Sequence, residues 1–383
     1  MKKKLISMTT IIILAMGVLV SCSGEKKSSK NEEEIKIGTI VPLTGKVASF
    51  GQSVKEGVLL AEKKINEGGG VNGKKIKFII EDDQGDQNVA LNVFNKLVDQ
   101  DSVDLILGPL TSAPTLAIAP KAGSLKIQMS TTAATEPTVT EIGNGYVFRW
   151  CYIDSFQGKA MSKFASETLK KKTIAILYNV GSDFSKGIAE SFKEDFEKRE
   201  GKVVAYESYN NDDKDFNAQL TKIKGTNAEG LFLPDYYNVV GLIAKQAKDN
   251  GVTSTLIGVD GWESEELFSI AGDSINGAYH INHFFAYDKD ETVATFVKEY
   301  EETYKRKPDT LAALFYDGAM PVAEALKGAK SLSSEEIVEA LKNTEIKGVT
   351  GNIKFGKDNS AVKDAVILKI DNGKKELVQK IQS

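Results

Sequence analysis

Short β-branched strands alternate with amphipathic helical patterns from Ile35 onward, and this alternation constrains the fold more than any other feature of the sequence. The stretch from Ile35 to Val41 has the composition of a buried strand. Behind Ser53, which suits a helix N-cap, apolar residues recur at helical spacing. Strands that alternate with helices form parallel sheets whose faces the helices cover. The sequence therefore predicts an α/β fold.

The same scheme recurs along the chain. Further strands are predicted at 76–81, 103–107, 127–129, 173–178, 202–208, 230–233 and 255–259. Helices are predicted at 88–98, 157–169, 185–199, 216–223 and 239–249. After Gly277 a strand-like run to Phe285 precedes longer helical patterns at 291–305 and 311–326, and strand-like pieces follow near 353 and at 366–370. The chain of 383 residues, 41% of them hydrophobic, exceeds what one core usually serves. Because the parts before and after about Asp154 look like two versions of one scheme, we expect two lobes.

The N-terminus has the pattern of a secretory signal peptide, which we assign to residues 1–21. Three lysines follow Met1, and the stretch 11–20 carries no charge. The alternative is a permanent transmembrane anchor. It is weaker, because a spanning helix needs about 20 apolar residues and Ser7, Thr9 and Thr10 interrupt this stretch.

The signal pattern ends at Cys22 with the sequence LVSC at 19–22, which resembles the lipobox of bacterial lipoproteins. The resemblance implies that Cys22 is acylated and becomes the new N-terminus, although an ordinary cleavage site before a chance cysteine remains open. Residues 23–34 contain no apolar side chain, a composition that cannot bury a core. We therefore expect a lipidated flexible tether at 22–34, on an exported protein anchored to the cell membrane at its periplasmic or extracellular face.

Charge and cysteine content narrow the possible partners. Removing residues 1–21 takes away three lysines and no acidic residue, so the net charge moves from −4 to −7. This acidic balance disfavours nucleic acid as a partner. If Cys22 carries lipid, Cys151 has no partner for a disulfide within the chain, and we expect it to be a buried, inert thiol.

Several apparent motifs fail on their structural context. Gly68, Gly70 and Gly73 satisfy GxGxxG, but they follow a helix and precede a strand, which is the reverse of a phosphate-binding arrangement. The acidic run 81–86 lacks the ligand spacing of an EF-hand, and Asp86 is better explained as a helix cap. Because His280 and His283 have odd spacing in a predicted strand, they are poor joint metal ligands. Nucleophile elbows, Walker loops and known cysteine-histidine pairings are absent from the sequence, so we expect no catalysis, no cofactor and no metal.

Two hydroxyl-rich loops follow predicted strands. The loop 108–115 follows the strand that ends at Leu107 and should open a helix, so its backbone N–H groups and the Ser112 hydroxyl could hold an anion. The loop 130–137 offers further hydroxyls after the next strand. Ligands of open parallel sheets bind at the carboxyl ends of the strands. A plain helix cap is the alternative explanation of the first loop.

Over nearly the whole chain after the tether, the sequence resembles the branched-chain amino-acid-binding family of periplasmic solute-binding proteins that feed ABC importers. The resemblance lies in 35–45 (IKIGTIVPLTG), 51–57, 66–73, 82–83, 107–109, 130–137, 148–149, Asp154 and 157–158. It implies a two-lobed type I periplasmic-binding fold, in which each lobe is a mostly parallel sheet flanked by helices and the chain crosses the hinge several times. The implied lobes are 35–153 with 283–356, and 154–282 with 357–383.

The resemblance also implies the ligand site. Ser112 and Thr135 correspond to residues that hold the ligand carboxylate, and the Ala133 carbonyl corresponds to the one that accepts from the ligand ammonium. Asp260 stands where many relatives carry a glutamate that pairs with the ammonium, so its shorter side chain puts that contact in doubt. Three positions match aromatic residues that line the cleft, namely Phe50, Phe184 and Tyr236.

The expected function is capture of an amino acid, with leucine, isoleucine or valine favoured, by a monomer that delivers it to a membrane ABC permease. A zwitterion needs opposite partners for its two charges and apolar surface for its side chain. The alternatives are a binding protein for an amide, urea, aromatic acid or short peptide, a sensory ectodomain, and an enzyme on this fold.

Overall fold

The structure is a computed structural model, and it describes residues 34–382. The predicted signal peptide, Cys22 and nearly all of the predicted tether lie outside the described residues. The strands are β1 Glu34–Val41, β2 Lys75–Asp82, β3 Leu105–Leu107, β4 Met129–Thr131, β5 Val147–Arg149, β6 Thr173–Asn179, β7 Lys202–Tyr209, β8 Gly230–Leu233, β9 Thr255–Gly258, β10 Tyr279–Asn282, β11 Glu345–Gly348, β12 Gly351–Phe355, β13 Ala361–Val362, β14 Ala365–Asp371 and β15 Lys374–Ile381.

Helices lie between most of these strands. They are α1 Ala48–Glu67, α2 Gln87–Asp99, α3 Ser112–Leu125, α4 Thr138–Glu141, α5 Asp154–Lys163, α6 Asp183–Lys198, α7 Asn217–Gly225, α8 Tyr237–Asp249, α9 Glu266–Ala271, α10 Glu291–Tyr304, α11 Thr310–Gly328 and α12 Ser334–Lys342. A π-helix, Phe164–Thr168, continues α5, and two 3-10 turns lie at Asp260–Trp262 and Gly272–Ile275.

The first lobe is built on a five-stranded sheet in the order β2-β1-β3-β4-β5, in which every pairing is parallel. Both faces of β1 are buried, since Ile37 packs into the cluster that includes residues of α1 and α11, and Ile40 into the cluster with Phe94 of α2 and Ile118 of α3. β1 therefore carries apolar residues for both faces, although Lys36 and Thr39 interrupt its apolar run.

Helices α1 and α11 pack closely on the first lobe. A Cβ atom at Gly57 in α1 would lie 2.2 Å from the backbone oxygen of Ala312 in α11, so only glycine allows this approach. Ser53 was predicted to cap α1, and this prediction is wrong. The helix begins five residues earlier at Ala48, and Ser53 is buried within it. Its hydroxyl donates to the carboxylate of Asp309, which caps α11, so a distant contact satisfies the polar side chain inside the helix.

The second lobe is built on a seven-stranded sheet in the order β15-β14-β10-β9-β8-β6-β7. Strands β6 to β10 pair in parallel, whereas β14 and β15 add antiparallel pairings at one edge. β15 was not predicted from the sequence. Asn372 and Gly373 join β14 to β15 with φ of 48° and 71°, the two-residue turn that Asn-Gly favours in hairpins.

A small sheet, β11-β12-β13, lies against the end of the first sheet. Phe355 of β12 packs edge-on against Phe148 and Trp150, with ring centroids 5.1 and 4.7 Å apart. The chain passes between the lobes after β5, after β10 and after β13. The predicted lobe boundary between residues 356 and 357 falls between β12 and β13 of this small sheet. The lobe boundaries stay predictions.

The predicted α/β, two-lobed fold with mostly parallel sheets is confirmed, and each predicted strand or helix has a counterpart within a few residues. Asp86 caps α2 as predicted, because its Oδ1 accepts from the backbone N–H groups of Asn88 and Val89. The glycine-rich segment 68–73 forms the turn between α1 and β2, as predicted. Several short elements were not predicted, among them β5, β11 and α12.

Candidate functional site

A cavity lies between the two lobes, where loops at the carboxyl ends of the parallel strands meet the N-terminal turns of α1, α3 and α11. Its free volume is only about 30 Å³, far below the roughly 300–1,000 Å³ of small-molecule sites, so the walls contributed by the two lobes are nearly in contact here. We call it the cleft. Its lining residues are Phe50, Leu110, Thr111, Ala133, Phe184, Tyr236, Asp260, Gly261, His283, Thr310, Leu311 and Leu314.

Three aromatic rings form one wall of the cleft. Phe184, at the start of α6, stacks on Tyr236, with ring centroids 4.9 Å apart and planes 12° apart. Phe50 of α1 lies edge-on to Tyr236 at 5.8 Å, so the first lobe contacts the second directly. The wall is mainly apolar because two of its three rings lack a hydroxyl. It can therefore receive an aliphatic or aromatic group.

The N-terminus of α3 faces the same cavity. Thr111 is the N-cap residue and lines the cleft, but its side chain makes no capping hydrogen bond. The Ser112 hydroxyl accepts from the backbone N–H of Glu136 at 3.4 Å. The first N–H groups of a helix have no intrahelical partner, and the helix dipole favours negative charge there. This end of the cleft can accept a carboxylate.

Thr135, two residues after Ala133, contacts Asp154. Thr135 is fully buried, and its backbone oxygen accepts from the N–H of Asp154 at 2.9 Å. Burial raises the pKa of Asp154 well above its ordinary value. The negative charge of Asp260 acts in the same direction. Asp154 also accepts from the Gln157 amide at 3.2 Å. The raised pKa favours the neutral form of Asp154 over a second carboxylate charge near Asp260.

Asp260 follows β9 and brings an acidic group to the cleft from the second lobe. Its backbone N–H donates to Gln157 Oε1 at 3.4 Å, and its Oδ2 lies 3.1 Å from Nε2 of His283. Burial lowers the pKa of His283, and the neighbouring Asp260 carboxylate only partly offsets this effect. A neutral imidazole with its proton on Nε2 can donate to the carboxylate.

Five of the seven predicted ligand-binding residues line the cleft, namely Phe50, Ala133, Phe184, Tyr236 and Asp260. Ser112 and Thr135 are buried beside it, one and two residues from lining residues. Tyr236, which lines the cleft, also contacts Ser112, which lies beside it. Burial raises its pKa well above the ordinary value, whereas a hydrogen bond with the backbone of Ser112 acts in the opposite direction. The ligand-binding roles of all seven residues stay predictions.

His283, which the sequence suggested only as a poor metal ligand, lies in the cleft. Its ring stacks on Tyr152, with centroids 3.6 Å apart, whereas His280 is buried near Trp262 at 6.1 Å. The two histidines therefore have different neighbours, as their odd spacing predicted. The part of the chain that the structure describes contains no group of three or more His, Cys, Asp or Glu residues that could hold a metal ion. Thr310, Leu311 and Leu314 were also missed, because only tertiary packing brings α11 to the cleft.

Cys151 is fully buried, and burial raises the pKa of its thiol to about 12. This surrounding disfavours the reactive thiolate, as the sequence analysis predicted. Within residues 34–382, no helix has the length and apolar character needed to cross a membrane.

Comparisons of this chain with known proteins, by sequence and by structure, indicate the same family. A family model described as "Periplasmic binding protein" matches residues 34–375. The leucine-, isoleucine-, valine-, threonine- and alanine-binding protein of Pseudomonas aeruginosa is 31% identical over 340 residues, covering 88% of this chain and 89% of that protein. The solved leucine-binding protein LivK of Thermotoga maritima has a TM-score of 0.86 and 32% identity, covering 91% of this chain and 99% of that one.

A second solved structure is the branched-chain amino acid transporter substrate-binding protein LivJ of Streptococcus pneumoniae in complex with isoleucine. Its TM-score is 0.86 at 34% identity, and the match covers 91% of this chain and 100% of that one. The family resemblance drawn from the sequence motifs is thereby confirmed. With its two α/β lobes around a polar and aromatic cleft, the chain belongs to the periplasmic binding protein family.

Proposed function

We propose that this protein is an extracytoplasmic solute-binding protein that captures an amino acid, with leucine, isoleucine and valine favoured, and delivers it to an ABC importer. The observation that carries the proposal is the pairing of opposite groups in one cavity. Asp260 contributes an acidic group from the second lobe, and the N-terminus of α3 contributes backbone donors from the first. The names of the relatives, which describe binding of branched-chain amino acids, support the same cargo.

The physical chemistry of a zwitterion suits this cavity. Its carboxylate pairs with the N–H groups and hydroxyl at Ser112, with Thr135 as a further donor. Its ammonium pairs with Asp260 and with the carbonyl of Ala133. The aliphatic side chain lies against Phe50, Phe184 and Tyr236, whose apolar surface offers no partner for a polar group.

Delivery follows from contact with both lobes. A ligand that contacts both lobes binds a closed arrangement more tightly than an open one, and that difference drives closure. The closed, liganded monomer is what the permease recognises. A lipid on Cys22 and the tether that follows it hold the protein at the membrane, which raises its effective concentration at the importer. The protein performs no chemistry on the amino acid and needs no cofactor.

A thermal-shift screen of the purified protein tests the cargo. A ligand that binds only the folded state stabilises it by about 2.7 kcal/mol at a concentration 100 times Kd. We expect leucine, isoleucine and valine to give the largest shifts among the common amino acids. Acetamide, urea and benzoate serve as controls for the other ligand classes. A shift with one of these controls and none with any amino acid would overturn the proposed cargo.

An assay with amino-acid amides tests the absence of catalysis. We expect no release of ammonia from leucinamide, because the described cleft holds no arrangement of nucleophile and base. Measurable turnover that depends on Asp260 would make the protein an enzyme.

A further inference from the structure

His283 is a buried residue of the cleft that comes directly after β10. Its side chain is 1% exposed, and it reaches the cavity at the point where the chain leaves the second lobe. One face of the imidazole stacks on Tyr152, with only 14° between the ring planes. The backbone N–H of His283 donates to Oδ1 of Asn282 at 2.9 Å. The ring itself is held by its stack on Tyr152 and by the contact of Nε2 with Asp260.

The two oxygens of Asp260 have different surroundings. Oδ2 lies 3.1 Å from His283 Nε2, whereas Oδ1 is buried and accepts no hydrogen bond from residues 34–382. A buried carboxylate oxygen without a donor is costly. Since a carboxylate only accepts hydrogen bonds, the imidazole proton lies on Nε2 in this contact.

We propose that His283 is a positioning residue, which holds Oδ2 of Asp260 so that Oδ1 remains available to the ammonium group of a bound amino acid. The inference rests on the proposed function and deepens it, because it names the residue that orients the acidic group. Asp260 has a short side chain with two rotatable bonds, and a hydrogen bond to one oxygen fixes the direction of the other. The ligand then meets a carboxylate that needs no rearrangement, which lowers the entropic cost of binding.

The other groups near Asp260 cannot do the same. Gln157 contacts the Asp260 backbone N–H, so it anchors the main chain and leaves the carboxylate free to rotate. Tyr152 contacts the ring of His283 and supports the carboxylate only through it. Within the described residues, His283 makes the one hydrogen bond recorded for the Asp260 carboxylate.

Calorimetry with L-leucine on four purified proteins tests the inference: wild type, His283→Phe, His283→Gln and His280→Phe. Phenylalanine can still stack on Tyr152 but has no N–H, so we expect leucine affinity to fall roughly 10- to 100-fold. Glutamine restores an N–H donor and should recover most of that loss. His280→Phe makes the same change three residues away, outside the cleft lining, and should leave affinity within about 3-fold of wild type.

Two further proteins, Asp260→Asn alone and Asp260→Asn combined with His283→Phe, separate positioning from a general effect on structure. If His283 acts through Asp260, His283→Phe should cause little further loss in an Asp260→Asn background, measured by thermal shift at high leucine concentration. If His283→Phe fails to fold, His283→Leu replaces it, since leucine also lacks a donor.

Three results would overturn the inference: unchanged affinity in His283→Phe, equal losses in the phenylalanine and glutamine variants, or additive losses with Asp260→Asn. A wild-type protein that binds no amino acid would instead overturn the proposed function. The two failures are therefore distinguishable.

Discussion

The hydroxyl of Ser49 lies 2.8 Å from the hydroxyl of Ser264, and this hydrogen bond joins the first turn of α1 to the loop after β9. It therefore connects the first lobe to the second, beside the aromatic contact of Phe50 with Tyr236. A second connection joins Lys46 to Asp212, but both side chains are largely exposed, at 67% and 90%. Both polar contacts join the two lobes, but the first is half-buried and the second is exposed to solvent.

Removing the half-buried contact should weaken ligand binding. Ser49→Ala eliminates a hydrogen bond that exists only when the lobes meet, so we expect leucine affinity to fall by up to about 10-fold, equivalent to roughly 0.5–1.5 kcal/mol. Lys46→Ala is the matched control, because an exposed ion pair contributes about 0–1 kcal/mol and is screened by salt. Titration calorimetry at 0.15 M salt measures both. Equal losses from the two variants would show that burial does not distinguish these contacts.

Asp260→Ala should weaken amino-acid binding by roughly 2–5 kcal/mol, as truncation of one member of a buried charge pair does. The loss arises because the ligand ammonium would be left in the cleft without its acidic partner. Asp212→Ala, which removes an exposed acid from the same lobe, should leave affinity nearly unchanged. Calorimetry that gives wild-type affinity for Asp260→Ala would remove this residue from the site.

The buried carboxyl of Asp83 should make stability depend on pH. Burial raises its pKa from 3.8 to about 6, although its Oδ1 accepts from the N–H of Gly85 at 2.9 Å. Between about pH 4 and about pH 6 the unfolded chain releases this proton while the folded protein retains it. The contribution of Asp83 to stability therefore falls as pH rises through this window and remains lower above it.

Asp83→Asn cannot ionise and should not show this loss. Relative to wild type, we expect its free energy of unfolding to rise by up to about 3 kcal/mol from about pH 4 to about pH 7, in urea titrations. Asp249→Asn, at an exposed position, corrects for the change in net charge. A difference between wild type and Asp83→Asn that does not vary with pH would contradict the expectation.

Cys22→Ser should release the protein from the membrane fraction, because the thiol that would receive the lipid is gone. Cys151→Ser is the matched control. It changes the other cysteine, which is buried in the folded domain, and it should leave the protein with the membranes. Fractionation followed by immunoblotting measures both. If Cys22→Ser still sediments with membranes, the lipobox interpretation is wrong.

The sequence by itself determined the local elements of this fold. The β-branched strand β1, the cap at Asp86 and the Asn372-Gly373 turn are encoded within a few residues of where they act, because strand preference, capping and turn geometry are short-range effects. The family motifs also indicated which residues form the cleft, and five of the residues chosen from these motifs line it. No local signal indicated that Ser53 would satisfy its hydroxyl on Asp309, 256 residues away.

Only the tertiary structure decided which side chains meet. His283 contacts Asp260 and Tyr152 because three separate segments converge at the end of the second sheet. Residue spacing within one strand cannot predict contacts between such segments. The same applies to α11, whose first turn closes the cleft from a distant part of the chain. Secondary structure follows from neighbours along the chain, whereas a binding site depends on how packed elements bring distant residues within a few ångströms.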